Sequence, residues 1–342
     1  MRTLSQIRDQ DFAIATLQRA MAANKLHHAY LFEGPAGVGK RTTAQALAMA
    51  LLCADDAQGC GQCRNCRRVH TGNHPDFRAL APLEGKSVIS IEQIRDAERW
   101  FVLPPHESAR KLLLIAPADA MTEPAANALL KTLEEPRRGH YIILSTAMSQ
   151  GLLPTVRSRC QRIRFGVLAN DTVVDLLQQG GLDAAEARWL AELAGGSMVK
   201  AAQYRDADLA PRLAFVSAIL DGATRRTPET ALMAIESLRG DREGVQAGLE
   251  LLIQLLAEWL WQRAAGDTDA AKQPLTQRLD APLQRMATSG TVRAVAQYIA
   301  AAHHAMTAIK RNNMNPQLAV EAMLMAMRGR STDARWVRTG AR

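Results

Sequence analysis

One stretch of this chain constrains its own local fold. Ala29-Tyr-Leu-Phe32 is a short apolar run, and Gly34-Pro-Ala-Gly-Val-Gly-Lys-Arg-Thr42 follows it. Residues 40–52 then place Ala44, Leu47, Ala48, Leu51 and Leu52 at helical spacing. Buried strand, glycine-rich turn and helix form the frame of a phosphate-binding loop. In such a loop backbone N–H groups curl around phosphates and a Lys reaches the outer ones. Gly34, Gly37, Gly39 and Lys40 are in place. The next position should carry a hydroxyl that holds Mg²⁺, but Arg41 stands there. Thr42 lies one residue on, turned about 100° away around a helix.

The partner strand has losses of its own. Lys111-Leu-Leu-Leu-Ile115 reads as a second buried strand, and an ATPase would end it with two acids for metal and water. Ala116 and Pro117 occupy those places, and only Asp119 remains beyond them. Phosphoryl transfer in this class depends on positioning and on charge stabilisation centred on metal. Losing the hydroxyl and both acids together predicts a chain without useful ATP hydrolysis, in which the loop survives as a degenerate nucleotide site.

Further strands are expected at Tyr141–Ser145 and Arg162–Phe165, and an extended segment at Val88–Ile91. Helices are expected over 12–23, 92–102 and from Thr122, an N-cap followed by Pro124, to Glu134 ahead of Pro136. Apolar strands alternating with helices imply a parallel sheet covered on both faces. After Gly166 the strand signals fade. Residues 170–204 read as a small helical unit broken at Gly180-Gly181 and Gly195-Gly196. Beyond about 208 nearly everything is helical, with clear helices at 249–261, 291–310 and 316–327 and connections near 222–228, 265–274 and 312–316. A length of 342 residues suits two or three domains, and 4% aromatics favours helices over sheet.

Hydrophobic residues at 47% and charged residues at 22% are ordinary for a soluble chain. No apolar run is long enough to span a bilayer and the start carries no signal-peptide core, so a cytoplasmic protein is expected. The formal charge of +8 permits a polyanionic partner without requiring one. Four of the five cysteines, Cys53, Cys60, Cys63 and Cys66, crowd together. In a reducing compartment such crowding points to metal rather than disulfides. Four thiolates suit a closed, tetrahedral, structural Zn²⁺ site. An iron–sulfur cluster is the alternative, although the ferredoxin spacing would want a Cys three residues past Cys66, where Val69 stands. His70 and His74 read as surface residues rather than ligands, and Cys160 as an unpaired thiol.

Three strings stand in order: His28-Ala-Tyr-Leu-Phe-Glu-Gly-Pro-Ala-Gly-Val-Gly-Lys40, Asn127-Ala-Leu-Leu-Lys-Thr-Leu-Glu-Glu-Pro136 and Leu152-Leu-Pro-Thr-Val-Arg-Ser-Arg-Cys160. With the cysteine cluster they resemble the AAA+ clamp-loader family of bacterial DNA polymerase III. The missing acids match its delta-prime branch better than the ATP-hydrolysing tau and gamma branches. The motifs cover about residues 10–165, and the rest fits by length and helical character.

The resemblance implies an α/β AAA+, P-loop NTPase-like domain over 1–166, with a zinc module inserted at about 53–75. A helical lid over 167–207, an all-α collar over 208–328 and a basic tail over 329–342 would follow. It implies a non-hydrolysing stator in a heteropentamer that loads the sliding clamp onto primed DNA. Partners would be tau/gamma-type ATPase subunits and a delta-type clamp-opening subunit, with the clamp and primer-template DNA met through the complex. The chain would then belong to a DNA polymerase III holoenzyme, itself a DNA-directed DNA polymerase. Ser158-Arg-Cys160 matches the motif that projects an arginine finger, here Arg159, into a neighbour's ATP site. The family's lid arginine falls at Val199, with Lys200 one residue late, which is a further departure. Ser145-Thr146 falls where a first sensor lies and reads as a structural remainder. Asn127, Lys131, Glu134 and Glu135 are interface candidates on an otherwise core-facing helix. Two alternatives stay open: a hydrolysing motor of the tau/gamma type, and a zinc-dependent DNA-binding module.

Overall fold

The computed structural model describes residues 1–206, 210–224, 242–264 and 292–327. The expected basic tail over 329–342 and the connection at 265–274 lie outside the described residues. The chain divides into two compact units: Met1–Val173 with Gly196–Val199, and Val174–Gly195 with Lys200–Arg342.

The first unit is built on a five-stranded, wholly parallel sheet. Its strands are β1 (Ala29–Glu33), β2 (Phe77–Leu80), β3 (Lys111–Ile115), β4 (His140–Thr146) and β5 (Gln161–Arg164), in the spatial order β2-β3-β4-β1-β5. β1 lies between β4 and β5, with Glu33 opposite Thr146 on one side and Arg164 on the other. A reversal of strand order of this kind opens a crevice beyond the carboxyl ends of the strands, and the glycine-rich turn sits at that end of β1.

Alternation along each strand sorts side chains to two cores. Tyr30, Phe32, Leu112, Leu114, Ile143 and Ile163 face α1 (Asp11–Ala22), α2 (Lys40–Leu52) and α3 (Arg64–His70). Ala29, Leu31, Leu113, Ile115, Ile142 and Leu144 face α4 (Ile91–Phe101), α5 (Glu123–Glu134) and the short α6 (Pro154–Arg157). Both faces are therefore dry, and this is why β1 and β3 read as unbroken apolar runs. Each fully buried Leu or Ile contributes about 1.5–3 kcal/mol.

Helix boundaries follow local chemistry. Thr122 caps α5, accepting from the Ala125 N–H, with Pro in the first turn. Ser90 and Gln93 form a reciprocal capping box at the start of α4. Residues 88–91 are not a strand: Ile89 makes one isolated bridge to Met121 before α4 begins. The strand that the sequence reading missed is β2, an edge strand of four residues whose burial is only partial.

In the second unit the described secondary-structure elements are all helices. α8 (Ala184–Ala194), α10 (Ala210–Thr224), α11 (Arg242–Ala264), α12 (Val292–Arg311) and α13 (Pro316–Met327) follow the shorter α7 (Asn170–Gln179) and α9 (Met198–Asp206), which straddle the division between the units. Gly248 lets α11 approach Phe215, whose ring a Cβ there would meet at 2.6 Å. Leu249, Leu252, Leu256, Val295, Ile309, Val320 and Met323 are buried with it. This matches the expected helical remainder of the chain.

Candidate functional site

The glycine-rich loop joins β1 to α2 as expected, but its groups point inward. Lys40 is buried, and its Nζ donates to the Gly34 carbonyl at 2.6 Å and the Pro35 carbonyl at 2.5 Å. Burial pulls its pKa down, opposed by the nearby Asp119 carboxylate. Asp119 keeps one buried oxygen, Oδ1, without a hydrogen-bond partner. Arg41, at the Mg²⁺-ligand position, is exposed. The hydroxyl that does bond locally belongs to Thr43, which donates to the Gly39 carbonyl at 3.0 Å.

The outer rim of the loop is covered by the segment Gly196–Val199. Ser197 Oγ donates to the Ala36 carbonyl at 2.8 Å, and the Met198 N–H donates to the Gly37 carbonyl at 3.1 Å. Gly37 has φ +77°, and a Cβ there would lie 2.5 Å from Ser197 Oγ. Only glycine allows this approach and this backbone conformation together. Val199 is half-exposed and brings no charge. On the inner side Gln10, buried, reaches the Val38 carbonyl and bonds both the N–H and the carbonyl of Gly166. The sequence reading gave Gln10 no role. Thr146 is buried and its Oγ1 accepts the Met148 N–H, which ties down the turn after β4.

The four cysteines of the module converge. Their sulfurs all lie within 4.8 Å of one another. Cys53 Sγ stands 3.6 Å from Cys60 Sγ and 3.7 Å from Cys63 Sγ. These separations are far beyond a disulfide bond of about 2.05 Å. They match the edge of about 3.8 Å expected of a sulfur tetrahedron with Zn–S near 2.3 Å. The donor set thus fits zinc. The backbone prepares it for thiolates: the N–H groups of Asp56 and Cys60 point at Cys53 Sγ, those of Gln62 and Cys63 at Cys60 Sγ, and that of Cys66 at Cys63 Sγ. Burial pushes the Cys53 thiol up, but these N–H donors outweigh it and bring its pKa down to about 7. Burial dominates at Cys66 and raises it. Cys66 and Val69 of α3 are buried in the same core as the sheet, so the module is packed onto the domain rather than appended to it.

Arg159 leaves the chain just after α6. Val156 is fully buried and Cys160 nearly so, which fixes the backbone on either side of it. Its guanidinium donates to the Thr155 carbonyl at 2.9 Å and to Ser158 Oγ at 3.4 Å, and its Nη2 forms an ion pair with Glu134 Oε1 at 2.5 Å. The neighbouring arginines have other engagements. Arg162 grips Glu33 with both Nε and Nη2, and Arg164 Nε donates to the same carboxylate. Burial raises the Glu33 pKa, but the hydrogen bonds from Arg162 and Arg164 prevail and hold it low. Arg157 has its Nε buried without a partner. Burial lifts the Cys160 thiol to about 12.

Comparison with known proteins bears on this arrangement. Residues 9–169 match the family model described as DNA polymerase III, delta subunit. Over that stretch the chain is similar to DNA polymerase III delta-prime subunits. The delta-prime subunit of Bacillus subtilis is 40% identical over 178 residues, covering 52% of this chain and 54% of the relative. That of Pseudomonas aeruginosa is 44% identical over 135 residues, covering 39% and 41%. The DNA polymerase III tau subunit of Escherichia coli is 33% identical over 169 residues, covering 49% and 26%. The chain thus matches only about half the length of its curated delta-prime relatives.

Other expected residues fall as follows. Asn127, Lys131, Glu134 and Glu135 are exposed along α5, while Leu129 and Leu133 are buried beneath them. His70 is exposed, but His74 is not a surface residue: it is 2% exposed and its Nδ1 accepts the Asp76 N–H. Burial lowers its pKa. The sequence reading also missed Asp76, fully buried, which accepts the N–H groups of His106, Glu107 and Ser108. The string His74-Pro-Asp76 was its only signal.

Proposed function

We propose that this chain is a non-hydrolysing, delta-prime-like subunit of a replicative clamp loader. It acts as a stator and supplies Arg159 to the ATP site of a neighbouring subunit during ATP-dependent loading of a sliding clamp onto primed DNA. The observation that carries the reading is Arg159 itself. It is a permanently charged fork held on a turn whose two flanking residues are buried, while its own chain's nucleotide loop lacks a metal ligand and both acids. A guanidinium can bond two phosphate oxygens at once, and fingers of this kind are worth about 10³–10⁵ in rate.

In this reading residues 1–166 are the AAA+ domain, 167–207 the lid, 208–328 the collar that joins the pentamer and 329–342 a basic tail. Zn²⁺ on Cys53, Cys60, Cys63 and Cys66 is structural, with four protein ligands and no open position for chemistry. The partners are tau/gamma-type ATPase subunits and a delta-type clamp-opening subunit in the cytoplasm, with clamp and DNA engaged through the complex. Asn127, Lys131, Glu134 and Glu135 lie on the face offered to a partner. Gly34, Gly37, Gly39, Lys40 and Thr42 remain as scaffold.

Reconstitution with those subunits, a clamp and primed DNA tests this. Arg159→Ala is expected to cost about 10³-fold or more at the neighbouring site and to abolish clamp loading, and Lys40→Ala to change either little. Full ATPase and loading with Arg159→Ala would sink the reading.

A further inference from the structure

We propose that Glu134 is a positioning residue for Arg159. The carboxylate at the last residue of α5 orients the guanidinium that the Ser158-Arg-Cys160 turn presents. The proposal rests on the reading of Arg159 as a finger.

The geometry joins two strings that lie apart in the chain. Glu134 ends α5, one residue beyond the buried Leu133. Arg159 follows α6, between the buried Val156 and Cys160. Leu129, Leu133, Val156 and Cys160 share one core, so the two backbones are fixed against each other. Across that fixed spacing Arg159 Nη2 meets Glu134 Oε1 at 2.5 Å, while Nη1 meets the Thr155 carbonyl and Ser158 Oγ.

Two hydrogen-bond acceptors and one carboxylate, from two elements, thus hold one guanidinium. Thr155 and Ser158 take the Nη1 donors and Glu134 pairs with Nη2 as an ion, while the Nε–H remains to reach a phosphate oxygen. An arginine side chain loses much rotamer freedom when it is fixed in place, and a finger ordered beforehand loses less at the moment of reaction. Glu134 is well suited to this task because the pair is partly open, with side chains 34% and 49% exposed. An exposed ion pair biases the rotamer without locking it, so Arg159 can still adjust to the phosphate. The neighbouring arginines lack such a partner on α5: Arg162 and Arg164 are turned to Glu33 on β1.

Two measurements test it. In the full-length chain labelled with ¹⁵N-arginine, the Arg159 Nε–H, assigned by its loss in Arg159→Lys, is expected to be rigid in the wild type. It should remain rigid in Glu134→Gln, whose amide oxygen still accepts, and become mobile in Glu134→Ala. In the reconstituted complex Glu134→Ala is expected to lower the kcat for ATP about three- to fivefold, the size an exposed ion pair can supply. KM should stay unchanged and Glu134→Gln should recover most of the rate. In an Arg159→Ala background Glu134→Ala should have no further effect. Wild-type kcat in Glu134→Ala, or the same slowing with Arg159 already removed, would overturn the proposal. If Glu134→Ala does not fold, Glu134→Gln and Glu134→Lys decide: equal kcat in the two overturns it, and a loss confined to Lys supports it. Full ATPase in Arg159→Ala removes the finger reading instead. The NMR measurement then still reports whether Glu134 orders the guanidinium.

Discussion

The Asp76 carboxylate is fully buried and accepts three backbone N–H groups from the loop that leads into β3, together with the Ser108 hydroxyl. Its partner His74 accepts the Asp76 N–H, and Arg68 of α3 forks onto Glu107 of the same loop. One acid therefore fastens the end of the cysteine module, the edge strand and the α4–β3 connection. Asp76→Ala strands three N–H donors and is expected to destabilise the domain by about 3–5 kcal/mol, and Asp76→Asn by somewhat less. Burial raises the Asp76 pKa, but the three N–H donors outweigh it, so its folded value lies below the ordinary 3.8. A depressed folded pKa gives stability that is present above the unfolded value and lost as pH falls through the folded one. Denaturant midpoints of the wild type should therefore drop below about pH 4 more steeply than those of Asp76→Asn. Parallel curves for the two would show that Asp76 carries none of the acid sensitivity.

At the scale of elements, what could be read from sequence had a strong local signal, and what could not had either a weak local one or a distant partner. The glycine-rich turn, α5 with its Thr122 cap, and the four cysteines each announce themselves in a few consecutive residues. β2 did not, because Phe77-Arg-Ala-Leu80 is short and only Phe77 is buried. Glu134 with Arg159, and Asp76 with the 106–108 loop, are contacts across 25 residues or more, and no local pattern encodes them. The cysteine module belongs to the legible group, and its packing sets the size of a prediction. Structural zinc supplies about 10–16 kcal/mol in isolated fingers. Here Cys66 and Val69 are also buried in the sheet's core, so part of α3 should survive without metal. One zinc per chain in a colourless protein is expected. Chelation or Cys60→Ser should lower Tm by about 5 °C or more, at 2–4 °C per kcal/mol, while most of the helix signal persists. A brown protein with visible absorbance would refute zinc, and an unchanged Tm after chelation would show that metal does not hold the module.

At the scale of the whole molecule, two units are linked by a chain that carries +8 formal charge, and no helix among the described residues is long and apolar enough to cross a membrane. Within the first unit the nucleotide loop and the candidate finger are separate devices on the same sheet: the loop follows β1, and Arg159 precedes β5. Losses at the loop need not affect Arg159, so the proposed loss of hydrolysis and the proposed finger role are compatible in one chain. This separation predicts the behaviour of a restored loop. The isolated chain should release phosphate no faster than its Lys40→Ala variant. Arg41→Thr, Ala116→Asp and Pro117→Glu together return the metal-binding hydroxyl and both acids. Such a chain should gain Mg²⁺-dependent nucleotide affinity. It still has Val199 where a lid arginine would stand, and it has no finger from a neighbour. A missing finger alone holds turnover about 10³-fold or more below that of a complete site. The restored chain should therefore bind labelled nucleotide and hydrolyse it slowly. If it turned over ATP alone as fast as the reconstituted complex, a trans-acting arginine would be unnecessary in this architecture, and the role given to Arg159 would fall with it.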